Sequence, residues 1–420
     1  MDHFELRDGE LWCEDVPLAD IAEAVGTPVY VYSQATLERH AAVFAEALAQ
    51  IERPWLAYAL KSNPNLAVVK VLQRQGFGAD VVSAGELARA LAAGVAPADI
   101  VFSGVGKTER ELAMALDAGI GQFNLESAEE AVELAAMARS RGIRAACALR
   151  VNPDVDAGTH EKISTGKAEN KFGVPIASAE RLFAELSGLP GLDLRGVALH
   201  IGSQLDSLDP LAAAFSHLGG LIERLRSRDH RITHADLGGG LGVPYKHGEI
   251  LPTPAEYGEM VARVTRGWDV RLMFEPGRVI TGNAGVLLTR VIRVKAGAGD
   301  TPFVIVDAAM NDLARPALYG AWHDFAAVRP SGEQMTAHIV GPICETGDTF
   351  ARDRDCDVVT VGDLAVFRTA GAYGATMASS YNSRGFVAEV LVDGDRFAVV
   401  ADRILPETIF AAERVPDWLG

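Results

Sequence analysis

The chain has 420 residues, of which 49% are hydrophobic and 23% charged, a composition typical of a globular protein with room for two domains. Its net charge of −17 argues against nucleic acid or an anionic membrane surface as a general partner. We see no signal peptide and no apolar run of the ~18 residues that a membrane helix needs. Four widely spaced cysteines form no disulfide scaffold, so we predict a cytoplasmic protein.

Between residues 29 and 278, short apolar runs alternate with amphipathic helical stretches, several of which end in glycine. Eight strands, each but the last followed by a helix, favour a closed (β/α)8 TIM barrel over an open sheet. The predicted strands are Trp55–Leu60, Ala79–Val82, Ile100–Ser103, Gln122–Leu125, Ala145–Val151, Gly196–Ile201, Thr233–Leu237 and Arg271–Phe274.

After Arg278 the sequence changes to short β-rich runs separated by Gly-Asp and Asp-Gly-Asp turns, which predicts an all-β domain, either a β-barrel or a sandwich. The strand-like residues 1–28 are predicted to join it. We therefore predict an α/β barrel at 29–278 and a β domain made of 1–28 and 279–420. The predicted strands of its C-terminal part are Val286–Lys295, Phe303–Asp307, Ala337–Val340, Val358–Thr360, Ala365–Thr369, Phe386–Val392 and Arg396–Val400.

Lys61 directly follows the apolar strand Trp55–Leu60 and precedes a turn and helix start at 62–64. An ammonium in that position loses solvation, so its pKa should fall and the free amine should become a nucleophile. A lysine of this kind can form a Schiff base with a carbonyl compound. For a single lysine, a solvated strand end is the commoner explanation, and the other strand ends are needed to decide.

In a barrel the active face lies where the strands end. His200 and Ser203 follow the sixth strand, the glycine run 238–242 follows the seventh, and Glu275 with Arg278 follows the eighth. Taken singly, these have commoner explanations as a core histidine, a turn and an ion pair. Together with a Schiff-base lysine, they offer a stacking ring, an anion cradle and a carboxylate for a protonated pyridine nitrogen. This combination predicts pyridoxal 5'-phosphate as the cofactor, and we predict no metal site.

Two segments of the β domain are also rich in functional groups. Residues 307–319 follow a buried strand, and residues 341–348 place the Cys344 thiol beside the Glu345 carboxylate in a turn. A buried, inert cysteine is the usual explanation for such a thiol. The functional alternative is a proton donor, with Glu345 available for a substrate ammonium.

At this point the chain resembles the diaminopimelate decarboxylases, which are pyridoxal-phosphate enzymes with an alanine-racemase-like fold, over nearly its whole length. The resemblance rests on Thr27–Tyr32, Ala57–Asn65, Ser164-Thr165-Gly166, Asn170–Gly173, His200–Gln204, Gly238–Gly242, Glu275–Arg278, Arg315–Tyr319, Cys344–Asp348 and Gly371–Gly374.

The resemblance implies that Lys61 holds the cofactor aldehyde, His200 stacks on its ring and Glu275 binds its nitrogen. It implies removal of CO2 from the D-centre of meso-2,6-diaminopimelate to give L-lysine, the last step of lysine biosynthesis, with Cys344 returning a proton. It also implies a homodimer with shared active sites. The implied phosphate-binding residues are Ser203, Gly239, Gly240, Gly277, Arg278 and Tyr373, and the implied substrate-binding residues are Arg278, Arg315, Tyr319, Glu345 and Tyr373.

Four other functions are alternatives to this one. An amino-acid racemase of the same architecture usually places an arginine at the ring nitrogen, where this chain has Glu275. An ornithine or arginine decarboxylase would not need Arg278 and Arg315 for a distal carboxylate. A non-catalytic cofactor carrier would lack the second domain, and a regulatory pseudoenzyme would be expected to lose Lys61 or Cys344.

Overall fold

The computed structural model describes residues 2–156, 165–166, 170–297, 299 and 301–420, so Ser164 of the predicted motif lies outside the described residues. The chain divides into two compact units. The barrel unit comprises Glu38–Val243 and Ile250–Ile280, and the β unit comprises Met1–Leu37, Pro244–Glu249 and Thr281–Gly420. Within the described ranges, no helix combines the length and apolar character that spanning a bilayer requires.

Eight parallel strands close the barrel in chain order, because each pairs with the next and the eighth pairs with the first. Most of their residues are buried, as expected where helices cover the outside and side chains fill the inside. The predicted (β/α)8 fold is confirmed. The strands are Trp55–Ala59, Gly78–Val81, Ile100–Phe102, Gln122–Leu125, Ala145–Asn152, Leu192–Ala198, His234–Asp236 and Arg271–Phe274, and Val174–Pro175 pairs outside the ring with the fifth.

Several helices of the barrel begin at a side chain that accepts a hydrogen bond from an N–H group of the first turn, among them those capped by Asn65, Ser83 and Ser127. Thr108 and Thr253 each form a capping box with a glutamate three residues later. Gly119 ends its helix in the left-handed conformation that the sequence predicted, with φ of 69°. The helices are Gln34–Ala47, Leu66–Arg74, Ala84–Ala92, Glu109–Ala118, Ala128–Ser140, Ile176–Ser187, Asp209–Arg226, Pro254–Val264 and Arg278–Thr281, with 3-10 turns at Leu60–Ser62 and Pro97–Asp99.

The β unit is organised around the long strand Gly285–Lys295. This strand pairs with Val29–Ser33, Leu364–Phe367 and Phe303–Val306, and a register shift between Val291 and Arg293 separates its two halves. Such an irregularity bends a strand, so one strand can take part in two differently oriented surfaces. The remaining strands are Phe4–Arg7, Glu10–Cys13, Val16–Pro17, Phe325–Ala327, Gln334–Val340, Thr349–Asp357, Ala388–Asp393 and Arg396–Ala401, and the helices are Leu18–Val25, Arg315–Tyr319 and Pro406–Phe410.

The β unit differs from the sequence expectation at two strands. The predicted strand Val358–Thr360 is wrong: the strand there is Thr349–Asp357, whose alternating charged residues at 352–355 hide its β character in the sequence. The strand Val29–Ser33 is buried throughout and hydrogen-bonded on both sides in the sheet of the β unit. The division between the units accordingly falls at 37–38, whereas the sequence placed it at 28–29.

Asp312 gives the β unit a testable dependence of stability on pH. Burial raises the pKa of this carboxyl from 3.8 to about 6, against the opposing effect of a hydrogen bond from the Ala309 N–H. Because the folded state binds the proton more tightly than the unfolded chain, the contribution of Asp312 is fully present below about pH 4 and is lost as the pH rises through 6. A shift of this size corresponds to at most roughly 2–3 kcal/mol.

We therefore expect Asp312→Asn to gain stability relative to the unaltered protein as the pH rises from 4 to 7. Urea unfolding of both proteins at several pH values measures this difference, and other titrating groups cancel in the comparison. A difference in unfolding free energy that does not change with pH would contradict the assignment.

Candidate functional site

Lys61 lies in a 3-10 turn, Leu60–Ser62, directly after the first barrel strand. Its ammonium forms an ion pair with the carboxylate of Asp80, which is fully buried at the end of the second strand. The apolar strand that precedes Lys61 gives no sign of this carboxylate, which the neighbouring strand places beside the amine. The lysine side chain is 33% exposed, so it is reachable from outside the barrel.

Side chains from four strands form a buried hydrogen-bonded chain inside the barrel. The Asn124 amide donates to Asp236 Oδ2 at 2.7 Å and to Ser103 Oγ at 3.1 Å, and the Ser103 hydroxyl donates to Glu275 Oε1 at 3.3 Å. Asp236 Oδ1 also accepts from the Gly238 N–H at 2.9 Å. These residues lie at the ends of the third, fourth, seventh and eighth strands, so the chain links the strand ends across the barrel.

Glu275 and Asp236 share a hydrogen bond within this buried group. Burial raises the pKa of both carboxyls, and that of Glu275 is raised well above its usual range, with the charges of Asp236 and Asp80 adding to the effect. Asp236 accepts two other hydrogen bonds that favour its ionised form, whereas the described donor to Glu275 is a single hydroxyl. Both carboxyls are therefore biased toward their protonated forms, Glu275 more strongly than Asp236.

His200 and the glycine run are built against each other. The Gly239 N–H donates to His200 Nδ1 at 3.2 Å, so this nitrogen carries no proton. Burial, together with the positive charges of Arg150 and Lys61, lowers the pKa of His200 well below its usual value. The ring is therefore neutral at physiological pH, as suits a flat surface for stacking.

Glycine is required at two positions of the run. A Cβ at Gly239 would lie 2.2 Å from the Glu275 carbonyl oxygen, and Gly240 has φ of +121° with the Gly202 oxygen 2.6 Å from a Cβ. The backbone of the seventh strand end thus approaches the sixth and eighth strand ends more closely than any side chain would allow.

Arg278 and Ser203 are also brought together at this end of the barrel. The Arg278 guanidinium donates to Ser203 Oγ at 3.0 Å from Nη2 and at 3.3 Å from Nε. Gly277, one residue earlier, lies against Ala59 and Ser62, next to Lys61. The predicted cofactor-binding residues of the barrel unit thus occupy the carboxyl ends of the first, sixth, seventh and eighth strands.

In the β unit, Asp348 forms hydrogen bonds to both segments that the sequence predicts to be functional, residues 307–319 and 341–348. Its buried carboxylate accepts from the Met310 N–H at 2.7 Å and from the Ile343 N–H at 2.6 Å. The turn that follows Ile343 carries Cys344 and Glu345, both exposed. Asp348 therefore holds the thiol turn against the 307–312 loop, and the explanation of Cys344 as a buried structural cysteine is wrong.

Three further predicted residues lie in the β unit. Arg315 begins the short helix Arg315–Tyr319 and is buried, with its guanidinium carbon 4.4 Å from the ring centre of Tyr245. Tyr319 ends that helix and is half-buried. Tyr373 is half-buried and has the left-handed φ of 55°, which is uncommon for a bulky residue.

The buried polar residues that support the barrel site lie within strands that the apolar pattern predicts, and that pattern assigns them no role. They are Asp80, Ser103, Asn124 and Asp236. A polar residue inside a buried strand is a usable signal, because burying it costs free energy unless it has partners. Among the described residues, no group of three or more His, Cys, Asp or Glu side chains is arranged to hold a metal ion.

Comparisons with known proteins agree with this geometry. Residues 34–282 match the family described as "Pyridoxal-dependent decarboxylase, pyridoxal binding domain". The diaminopimelate decarboxylase of Zymomonas mobilis is 51% identical over 419 residues, which cover 99% of both chains. The crystal structure of diaminopimelate decarboxylase from M. jannaschii in co-complex with L-lysine superposes with a TM-score of 0.95 at 34% identity, covering 100% of this chain and 99% of that one. The enzyme from Helicobacter pylori complexed with L-lysine gives a TM-score of 0.90 at 37% identity, covering 94% and 99%.

The fold and the barrel site define a pyridoxal-phosphate-dependent decarboxylase. Within that class, the particular family is shown by sequence identity with diaminopimelate decarboxylases over the full length of both chains. The chain belongs to the diaminopimelate decarboxylase family.

The residues at the barrel end fit pyridoxal phosphate. A partly exposed lysine amine suits the aldehyde, a neutral imidazole suits the ring, and a carboxyl whose pKa is raised suits a proton shared with a pyridine nitrogen. The glycine run suits a phosphate by its place after the seventh strand, where barrels commonly bind phosphate, and its backbone packs too closely for any Cβ. Asp80 Oδ1 is buried without a hydrogen-bond partner in the described part of the chain. Buried polar atoms normally have a partner, so we expect a polar group of the cofactor to bind here.

Proposed function

We propose that this protein removes CO2 from the D-centre of meso-2,6-diaminopimelate and releases L-lysine, in the last step of lysine biosynthesis. The observation that carries the choice of substrate is Arg315, a buried guanidinium in the β unit. A cation there suits the carboxylate at the retained end of diaminopimelate and opposes the free ammonium of ornithine. Full-length identity with diaminopimelate decarboxylases supports the same choice.

Pyridoxal phosphate supplies the acceptor for the electron pair left behind when the bond to the departing carboxylate breaks. In our proposal, the Lys61 amine would hold the cofactor aldehyde. Glu275 would hold a proton at the ring nitrogen, and the neutral ring of His200 would pack against the cofactor ring. The phosphate is held by Ser203, Gly239, Gly240, Gly277, Arg278 and Tyr373.

The substrate is oriented by groups that match its distal amino-acid end. We assign Arg278 and Arg315 to the carboxylate and Glu345 to the ammonium, and we assign Tyr319 and Tyr373 to substrate binding. Fixing the distal end sets the direction of the scissile bond and contributes to rate through orientation. Cys344 then returns a proton to the carbon that lost CO2.

We expect Cys344→Ala to lower turnover by about 10²–10⁴-fold, the range for a positioned acid–base group, while the cofactor stays bound. The Cys344 thiol is exposed and forms no disulfide, so the protein should remain intact. Steady-state rates and the visible absorbance of the cofactor measure the two effects. Cys344→Ser is the matched control for shape, and loss of the cofactor in either variant would count against the donor role.

The choice of reaction is tested by incubating the protein with meso-diaminopimelate, ornithine, arginine and alanine in parallel. Our proposal requires CO2 and L-lysine from diaminopimelate. Release of CO2 from ornithine or arginine at a comparable rate would favour the polyamine-type decarboxylases, and racemisation of alanine would favour a racemase.

We further propose that the protein is a cytoplasmic homodimer in which the β unit of one chain serves the barrel of the other. Four free cysteines without a disulfide support a reducing compartment. Mixing Lys61→Ala with Cys344→Ala protein tests the shared site, because a mixed dimer would contain one site free of both substitutions. Activity that does not return after exchange of subunits would contradict a site shared between chains.

A further inference from the structure

His323 contacts Arg315 within the buried part of the β unit. Arg315 Nη1 lies 2.8 Å from His323 Nε2, and both residues are more than nine-tenths buried. The other ring nitrogen, His323 Nδ1, lies 2.9 Å from the Arg368 carbonyl oxygen. The histidine thus bridges the start of helix Arg315–Tyr319 and the residue that follows strand Leu364–Phe367.

These two contacts fix the protonation of the ring. A carbonyl oxygen only accepts, so Nδ1 carries the proton and donates it to Arg368. A guanidinium only donates, so Nε2 must be unprotonated and accept from Arg315. The hydrogen bonds are both satisfied by the neutral ring with its proton on Nδ1, and a charged ring would set two donors against each other.

Tyr245 contacts both Arg315 and His323, and Arg354 contacts His323. The guanidinium carbon of Arg315 stacks 4.4 Å from the Tyr245 ring centre, and the Tyr245 ring meets His323 edge-on at 5.2 Å. Arg354 donates to the His323 carbonyl oxygen at 2.9 Å, which fixes the backbone of the histidine. The face of the Tyr245 ring and the His323 acceptor therefore both constrain the plane of the Arg315 guanidinium.

We propose that His323 is a positioning residue for Arg315, and that it holds the guanidinium in the orientation in which it reads the carboxylate at the retained end of the substrate. This inference rests on the proposed function, in which Arg315 binds that carboxylate. A guanidinium recognises a carboxylate through a planar fork of N–H groups, so its rotation matters as much as its charge. His323 would act on affinity for carboxylate-bearing ligands and not on the cofactor.

Two substitutions of His323 test the role of its acceptor nitrogen, Nε2, separately from the role of its donor nitrogen, Nδ1. The side-chain amide of His323→Asn reaches the place of Nδ1 and can still donate to Arg368, but it supplies no acceptor at the place of Nε2. The longer His323→Gln can return an oxygen to that place. Arg315→Ala is the reference variant that removes the guanidinium itself.

The experiment compares L-lysine with 1,5-diaminopentane, which has the same carbon chain and amines but no carboxylate. Binding of each ligand to the cofactor-loaded enzyme is followed through the absorbance of the cofactor. We expect His323→Asn to weaken L-lysine binding about tenfold, the size of one lost hydrogen bond to a charged group, and to leave the diamine unaffected. His323→Gln should recover most of the loss, and Arg315→Ala should show at least the loss of His323→Asn.

The outcomes distinguish this inference from the proposed function. If Arg315→Ala weakens L-lysine binding and His323→Asn does not, the positioning role is refuted while the proposed function stands. If His323→Asn weakens both ligands equally, its role is only structural and the inference is again refuted. Unchanged L-lysine binding in Arg315→Ala would refute the assignment of Arg315 to the carboxylate, and the inference with it.

Discussion

Replacing Lys61 by alanine is expected to abolish the visible absorbance of the bound cofactor and to reduce decarboxylation by more than about 10⁴-fold, beyond the loss of an acid–base group alone. The side chain lies at the end of the first barrel strand, partly exposed and beside Asp80. Its amine is the group that we assign to covalent attachment of the cofactor, so the effect should exceed that of any other single substitution. Spectra and turnover of purified protein measure both quantities.

Lys61→Arg is the matched control for charge. Arginine keeps a cation beside Asp80 and so preserves the ion pair, but a guanidinium does not add to an aldehyde. We expect it to be as inactive as the alanine variant and better folded. Borohydride treatment of the unaltered protein should fix the cofactor to a peptide containing Lys61, and a label found elsewhere, or a retained absorbance band in Lys61→Ala, would overturn the assignment.

Replacing Glu275 by glutamine is expected to give the second largest loss, about 10²–10⁴-fold in kcat, with the cofactor still bound. Burial, followed by the charges of Asp236 and Asp80, raises the pKa of Glu275 well above its usual range. A carboxyl of this kind can share its proton with a ring nitrogen, whereas an amide has nearly the same shape but cannot give up a proton. Stopped-flow and steady-state rates on the same preparation measure the effect.

Asp236→Asn is the companion to this variant. Since the charge of Asp236 contributes to the raised pKa of Glu275, its removal should lower that pKa. Activity should then decline at a lower pH on the alkaline side, with a smaller loss at the optimum than in Glu275→Gln. A Glu275→Gln enzyme with unchanged kcat would show that the proton at this position plays no part in the reaction.

The barrel could be predicted from the sequence because its strands are short apolar runs with a helix after each. The same rule failed at Val29–Ser33, an apolar run followed by a helix, which is hydrogen-bonded on both sides in the β unit. Local sequence does not record which sheet a strand joins, because that choice depends on partners far along the chain. Thr349–Asp357 was missed for the opposite reason, since charged side chains on an outer strand of the sheet break the apolar pattern.

For the site, position after a strand was enough to single out Lys61, His200, the glycine run and Glu275. The groups that tune them could not be predicted in the same way. Asp80 and Asp236 lie inside short buried strands, and their meaning depends on which strands are neighbours in the closed ring. The bond between His323 and Arg315 joins residues eight apart across a helix end and a loop, a distance at which no periodic pattern operates.

The unequal burial of the four thiols has a practical consequence for the purified protein. Cys13, Cys147 and Cys356 are enclosed, and burial raises the pKa of each, which keeps them in the unreactive protonated form. Cys344 alone among the four faces solvent. Peroxide or a maleimide dye would thus react first with Cys344, the proposed proton donor. Storage without a reductant would therefore inactivate the enzyme long before it damaged the fold.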